Sequence, residues 1–187
     1  GIDGVHVAGI AAVIGLTHSE SVIEGTLGSG YGVVGGLIAA SAPLCDFVRS
    51  FGSGFIFSTA LPPMIAAGAL ASVRYLKRSQ KERDGQQRAV AYMREALDRA
   101  GIPHVQNDSH IVPVMVGEAD LCRALSDELL TRFGHYLQPI NYPTVARGTE
   151  RLRLTPTPLH TNEDIDEMVV ALSTLWQERQ LKRSVAA

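Results

Sequence analysis

Gly25-Thr-Leu-Gly-Ser-Gly-Tyr-Gly-Val-Val-Gly-Gly36 is the stretch on which the reading of this chain turns. One apolar run, Ser21-Val-Ile-Glu24, leads into it, and another, Leu37-Ile-Ala-Ala40, leaves it. Glycine lets the backbone come close to a bound group and leaves amide N–H donors pointing outward, so such a loop suits a phosphate. The serine at its centre, Ser29, does not fit a hydrolase. A G-x-S-x-G nucleophile elbow needs glycines at 27 and 31, where Leu27 and Tyr31 stand. Taken alone, Ser29 is a turn serine in a glycine loop.

Outward from this loop, short apolar runs bounded by glycine fill residues 1–60: Gly4-Val-His-Val-Ala8, Ser21-Val-Ile-Glu24, Gly36-Leu-Ile-Ala-Ala40 and Phe55-Ile-Phe57. Their length favours buried strands. Pro62-Pro63 then opens a helix that the pattern carries to Lys81. Ala89, Val90, Met93, Leu97 and Ala100 recur at helical spacing, with the charged patch Arg78 to Arg88 as a solvated entry and Gly101-Ile-Pro103 as the stop. From about residue 104 the order becomes strand, helix, strand, strand, helix. His110 to Val116 is a strand candidate, and Ala119 to Phe133 is amphipathic, with Leu121, Leu125, Leu129 and Phe133 on one face. Arg151-Leu-Arg-Leu-Thr155 alternates with period two, which puts Arg151 and Arg153 on one face and Leu152 and Leu154 on the other. Thr161-Asn-Glu-Asp164 caps a last helix whose stripe is Ile165, Met168, Val169, Leu172, Leu175 and Trp176. The pattern is α/β: the tail of a parallel-sheet domain over residues 1–101, then a small α/β domain over 102–187, with the boundary near 101–108.

The bulk numbers set limits. With 187 residues, a net charge of −2 and 45% hydrophobic residues, the chain has an ordinary globular composition and room for one or two domains. No basic stripe points to nucleic acid. The apolar opening at residues 5–16 is too short for a membrane span and lacks a basic n-region. Two distant cysteines, Cys45 and Cys122, fit a reduced intracellular protein and packing roles. His18, His104, His110, His135 and His160 show no metal-ligand spacing, so no metal is expected. The first residue is Gly1 rather than methionine, which suggests a fragment or a processed product.

Four longer stretches carry a resemblance. The glycine loop Gly25–Gly36, Gly54-Phe-Ile-Phe-Ser-Thr-Ala-Leu-Pro-Pro63, Ser109-His-Ile-Val-Pro-Val114, and Gln138-Pro-Ile-Asn-Tyr-Pro-Thr-Val145 with Arg147-Gly-Thr-Glu-Arg-Leu-Arg-Leu-Thr-Pro156 follow one another in order. Together they resemble the C-terminal half of the 5-aminolevulinate synthases, α-oxoamine synthases of the pyridoxal phosphate (PLP)-dependent aminotransferase class II. The Gln138–Val145 and Arg147–Pro156 stretches favour these over the sister α-oxoamine synthases. The resemblance implies a fold-type I large-domain remainder followed by the small C-terminal domain. It also implies PLP as cofactor, glycine and succinyl-CoA as substrates, and 5-aminolevulinate, CoA and CO2 as products, at the first step of haem and tetrapyrrole biosynthesis. A homodimer, or association with a full-length homologue, is implied as well, in the cytoplasm or, in a eukaryote, the mitochondrial matrix.

The same resemblance assigns residues. Ser29 takes the position of the lysine that carries PLP as a Schiff base and then serves as general base. A serine forms no imine, and Lys77, Lys81 and Lys182, the remaining lysines, sit in charge-rich helical surroundings. Asp3 and His6 correspond to the residues facing the pyridine nitrogen and the ring's 3-oxygen. Thr26 corresponds to a phosphate ligand in the same subunit, and Ser58 and Thr59 to ligands of the partner subunit's phosphate. Read without the family, Ser58-Thr59 is a cap for the helix after Pro62-Pro63. Arg153 corresponds to the arginine that clamps the substrate carboxylate, and Thr144 to a substrate-contacting threonine. The segment between Gly9 and Val22 is shorter than the family pattern, and Gly4 replaces a glutamate. The expectation is a 5-aminolevulinate synthase homologue that is inactive by itself. The alternative is a non-catalytic partner subunit or remnant of an α-oxoamine synthase.

Overall fold

The computed structural model describes residues 22–183. They fall into two compact units that divide between Gln80 and Lys81.

In the first unit, β1 (Val22–Thr26) and β2 (Gly36–Ala40) flank the one-turn helix α1 (Leu27–Tyr31). They are followed by α2 (Ala42–Phe51), α3 (Ser53–Ile56) and α4 (Pro63–Arg78). The strands pair antiparallel from Val22 opposite Ala40 to Thr26 opposite Gly36. Two glycines are demanded by close approach. A Cβ at Gly36 would lie 3.0 Å from the Gly25 carbonyl oxygen, and Gly35, at φ 122°, would bring one within 2.9 Å of Leu61 Cδ2. Leu27 is the single buried apolar side chain among the described residues of this unit.

Of the four runs read as buried strands, those at 21–24 (from Val22 on) and 36–40 are strands that lie at the surface, with Leu37 and Ile38 exposed, and the run at 4–8 lies outside the described residues. Phe55-Ile-Phe57 is not a strand. Phe55 and Ile56 donate to the Gly52 carbonyl at 2.8 and 2.9 Å, and that turn keeps the chain helical after α2. Three apolar residues between glycines fit either state, and here the local hydrogen bonds decide. The expected parallel pairing is not seen among the described residues, since every strand pair is antiparallel.

The second unit runs α5 (Lys81–Ala100), β3 (Val112–Met115), α6 (Ala119–Phe133), β4 (Gln138–Ile140), β5 (Arg151–Leu154) and α7 (Asn162–Glu178). Its sheet has the order β3–β5–β4, antiparallel throughout. The β5 alternation puts Leu152 and Leu154 into the core. There they meet the α5 stripe of Ala89, Val90, Met93, Ala96 and Leu97, and the α7 stripe from Ile165 to Trp176. The sequence pattern placed α5 with the preceding residues and divided the chain at 101/102. Its buried stripe belongs instead to the core that follows it. Gly85 helps, because a Cβ there would stand 3.0 Å from Pro158 Cβ. The expected solvated entry at 78–88 is part of α5 itself from Lys81 onward, and Arg83 within it is buried.

Helix ends in this unit are satisfied locally. Glu118 accepts from the amides of Asp120 and Leu121 at 2.8 and 2.7 Å, and Gly134, at φ 77°, closes α6. At α7, Thr161 Oγ1 accepts from the Asp164 amide at 3.1 Å, while Asp164 Oδ2 accepts from the Thr161 amide at 2.8 Å. This reciprocal capping box fills two orphan donors of the first turn. Arg132 forks onto Glu178 at 2.7 and 2.8 Å, and Arg179 pairs with Glu128, so α6 and α7 are also tied across the surface.

The capping box makes a pH prediction. The Thr161 amide, and then the Thr161 hydroxyl, hold the Asp164 carboxyl below its ordinary value of 3.8. A lowered folded-state pKa stabilises the fold above the unfolded value, and that contribution is lost as the pH falls through the folded one. Asp164→Asn is therefore expected to lower the unfolding temperature of the second unit at pH 7. The gap to the parent should close only once the pH has dropped through the lowered value. Thermal melts between neutral and acid pH check this; a gap that persists unchanged into acid would refute it.

Candidate functional site

The glycine loop folds into a closed turn. Thr26, at φ −86° and ψ 140°, caps α1, and its hydroxyl accepts from the Gly28 amide at 3.2 Å. The Leu27 amide donates to Gly35 O at 2.8 Å, the Val33 amide donates to Leu27 O at 3.2 Å, and Gly32 turns the chain at φ 69°. Small residues allow the tight return, and Leu27 is the peg that anchors it. Ser29 is exposed.

A groove of about 680 Å³ lies beside the hairpin, between Thr26, Leu37 and Ile38 on one wall and Cys45, Arg49 and Phe55 on the other. Thr26 is the one candidate residue that lines it. Ser58 turns back on its own segment, donating to Gly54 O at 2.8 Å. Neither Ser58 nor Thr59 caps α4, whose first turn begins at Pro62 without a side-chain cap. Both are exposed. Asp3 and His6 lie outside the described residues.

In the second unit, Arg151 and Arg153 share a face but not a role. Arg151 Nε donates to Thr149 O at 2.8 Å. Arg153 is exposed and free of any ion pair among the described residues. It lines a cavity of about 480 Å³ with His135, Tyr136, His160 and Asp164 over a floor that includes Met93 and Met168. Thr144 sits exposed on the β4–β5 loop, its amide donating to Asn141 O at 2.9 Å.

The supports of that loop went unnoticed in the sequence. Asn141 Nδ2 donates to Ala119 O at 3.2 Å, tying the loop to the start of α6, while its Oδ1 is buried without a partner. Glu150 is buried, and its carboxylate accepts from the Gly148 amide at 2.8 Å. Its main-chain oxygen accepts from the amides of Val116 and Gly117, each at 2.9 Å. An acidic residue just ahead of an alternating strand carries no local signal of such a role. Cys122 is fully buried, and burial pushes its thiol up to about 11, so it is a packing residue with no reactive thiolate at neutral pH.

Residues 2–172 match the model of the aminotransferase class I and II family. The chain belongs to this family. It is 59% identical over 186 residues to 5-aminolevulinate synthase of Rhizobium meliloti (strain 1021), a match that covers 100% of this chain and 46% of the relative. The 5-aminolevulinate synthase 1 of Cereibacter sphaeroides is 50% identical, over 98% of this chain and 45% of its own length. The mitochondrial 5-aminolevulinate synthase of Yarrowia lipolytica is 52% identical over 162 residues, 87% of this chain and 29% of the relative. The chain thus spans less than half the length of these relatives, to which it is homologous.

Among solved structures, serine palmitoyltransferase from S. paucimobilis with a bound PLP–myriocin aldimine superposes with a TM-score of 0.84. It is 24% identical and covers 94% of this chain and 44% of that one. The 8-amino-7-oxononanoate synthase of Francisella tularensis gives 0.72 at 24% identity, over 86% of this chain and 47% of that one. These two establish the fold, that of the PLP-dependent transferases. The family and fold expected from the four motif stretches are therefore confirmed, and PLP is the cofactor of the family.

The residues present fit that cofactor only in part. The Thr26 hydroxyl can donate to a phosphate dianion, whereas the amides of Leu27, Gly28 and Val33 are bonded within the turn. The aldehyde end requires an amine, and Ser29 has none to offer. Lys77, the one lysine of the first unit, is exposed in the last turn of α4. Covalent attachment of the cofactor does not fit this chain.

Proposed function

We propose that the chain is a polypeptide of the 5-aminolevulinate synthase kind that does not turn over by itself. The family reaction joins glycine to succinyl-CoA and releases 5-aminolevulinate, CoA and CO2. Ser29 carries the reading: the group that would attach the cofactor and then take the glycine proton is a hydroxyl. A positioned acid–base group is worth about 10²–10⁴ in rate, and covalent attachment is lost along with it.

The remaining roles follow the family pattern. Thr26 binds the cofactor phosphate, while Asp3 and His6 face its ring. Ser58 and Thr59 serve the phosphate of a partner subunit, and Thr144 and Arg153 hold the substrate, the arginine by its two-pronged donor fork. Any hold on PLP is weak and non-covalent. Completion by a second copy or by a full-length homologue fits such a chain. The two free cysteines are in keeping with a reducing compartment, cytoplasm or mitochondrial matrix.

The test is a titration of the purified chain with PLP, followed by borohydride and mass analysis of the protein. No cofactor fixed to the polypeptide, and an absorbance spectrum equal to that of free PLP, are expected. A single fixed cofactor per chain would mean that another amine has replaced the lysine, and the catalytic reading would stand instead.

A further inference from the structure

The second unit buries a continuous core, whereas the rings of Phe47, Phe51 and Phe57 in the first stay exposed. That core is reached from outside through the cavity of about 480 Å³ beside Arg153. Two of the chain's four methionines, Met93 of α5 and Met168 of α7, line it. Both belong to the core and are only 6% and 5% exposed. The rim is exposed and hydrogen-bonding, with Tyr136, Arg153, His160 and Asp164. The Thr157 amide donates to His160 Nδ1 at 3.0 Å, so the neutral ring keeps its N–H at Nε2. A water occupies about 30 Å³ in the liquid, and a peroxide, with two oxygens, therefore has room to enter while the fold is intact. A polar mouth over a thioether floor sets oxidisable sulfur within reach of a small polar oxidant. The other two methionines each lack one half of this arrangement. Met64, on α4, is 76% exposed and belongs to no buried core. Met115, on β3, is half-buried and does not line the cavity.

We propose that Met93 and Met168 are sites of modification by hydroperoxides, and that their oxidation loosens the second unit. The inference goes beyond the reading of Ser29 and does not depend on it. The sulfur lone pair attacks one peroxide oxygen, and an S–O bond forms as the O–O bond breaks. Sulfur gives up two electrons and the peroxide takes them. The transferred oxygen releases its proton, and the departing hydroxide takes one up. Thioether plus hydrogen peroxide thus gives sulfoxide plus water. The product is polar and chiral where a flexible apolar chain had filled the space beside Leu154 and Ile165. A polar oxygen set into such surroundings without a donor costs stability. Sulfoxide is also the reversible rung of methionine oxidation, so reduction restores the packing.

The experiment is exposure of the purified chain to hydrogen peroxide at neutral pH, quenched with free methionine and read by peptide mass. Met64 is expected to gain one oxygen first, followed by Met93 and Met168. Their rate should stay within about twofold as urea is raised below the unfolding transition, since reaction from the unfolded state would climb with its population. After oxidation, the urea midpoint of Trp176 emission should fall. Met93→Leu combined with Met168→Leu conserves core volume and keeps Met64, Cys45 and Cys122, so its midpoint should not move under the same exposure. The proposal is overturned if Met93 and Met168 stay unoxidised once Met64 is fully converted, or if their rate tracks unfolding. A parent midpoint that does not fall, or a double variant that loses as much stability as the parent, would overturn it equally. Every readout is taken without PLP, so a failure here is separable from the borohydride result.

Discussion

Ser29→Lys, assayed alone with PLP, glycine and succinyl-CoA, is expected to form no 5-aminolevulinate. Restoring the amine restores one group, not the surroundings in which it would act. Thr26, Ser29, Ser58, Thr59, Thr144 and Arg153 are all exposed. Charges and dipoles that face bulk water act across a dielectric near 80, where a contact worth several kcal/mol in a dry site falls to about 1 kcal/mol. A lysine at position 29 would stand in that solvent, with the pKa of an ordinary exposed amine and little tendency to act as a base at neutral pH. Product formation by the variant alone, at a rate within about 10² of a full-length relative, would show that the site needs no further walls. A colorimetric assay of the product over hours, against a full-length relative as standard, reads either result.

Leu172→Ala is expected to destabilise the second unit by about 3–5 kcal/mol. Leu172 is fully buried on α7, within the same core as Leu97, Leu125 and Leu152. Truncation removes the transfer energy of the lost carbons and leaves a hole that rigid neighbours fill only in part. Against a whole-domain stability of roughly 5–15 kcal/mol this is a large share. The chain has one tryptophan, Trp176, which is 2% exposed and belongs to that same core. Its emission therefore reports the unfolding of the second unit. A urea titration should show the midpoint of the red shift falling sharply for the variant. Val170→Ala, on the exposed side of the same helix, should move it little. If Leu172→Ala cost less than about 1 kcal/mol, the core would be looser than its burial implies.

What was legible in the sequence follows from the reach of each signal. The α7 stripe and its Thr161 cap were readable because both are local: a period of three and four residues, and a hydroxyl three positions from its amide. The alternation Arg151 to Leu154 was readable for the same reason, and it separated the buried leucines from the outward arginines. The membership of α5 was not readable, since its stripe looks the same whichever core it enters; contact with Pro158, far along the chain, decides it. Phe55 to Phe57 failed for want of length. At the candidate site, the motifs placed Thr26, Ser29, Ser58, Thr59, Thr144 and Arg153 through likeness to a family. Asn141 and Glu150 hold the Thr144 loop through bonds to Ala119, Val116 and Gly117, and no spacing in the sequence announces those bonds.

The exposed aromatics of α2 and α3 also bear on how the chain is made. Synthesis runs from the first unit to the second, so Phe47 through Phe57 leave the ribosome before the residues that build the self-sufficient core. At usual elongation rates the stretch 81–187 takes roughly 5–20 s to follow. Throughout that interval the exposed rings of α2 and α3 precede the well-packed core of the second unit, and rings of this kind are what chaperones and proteases recognise.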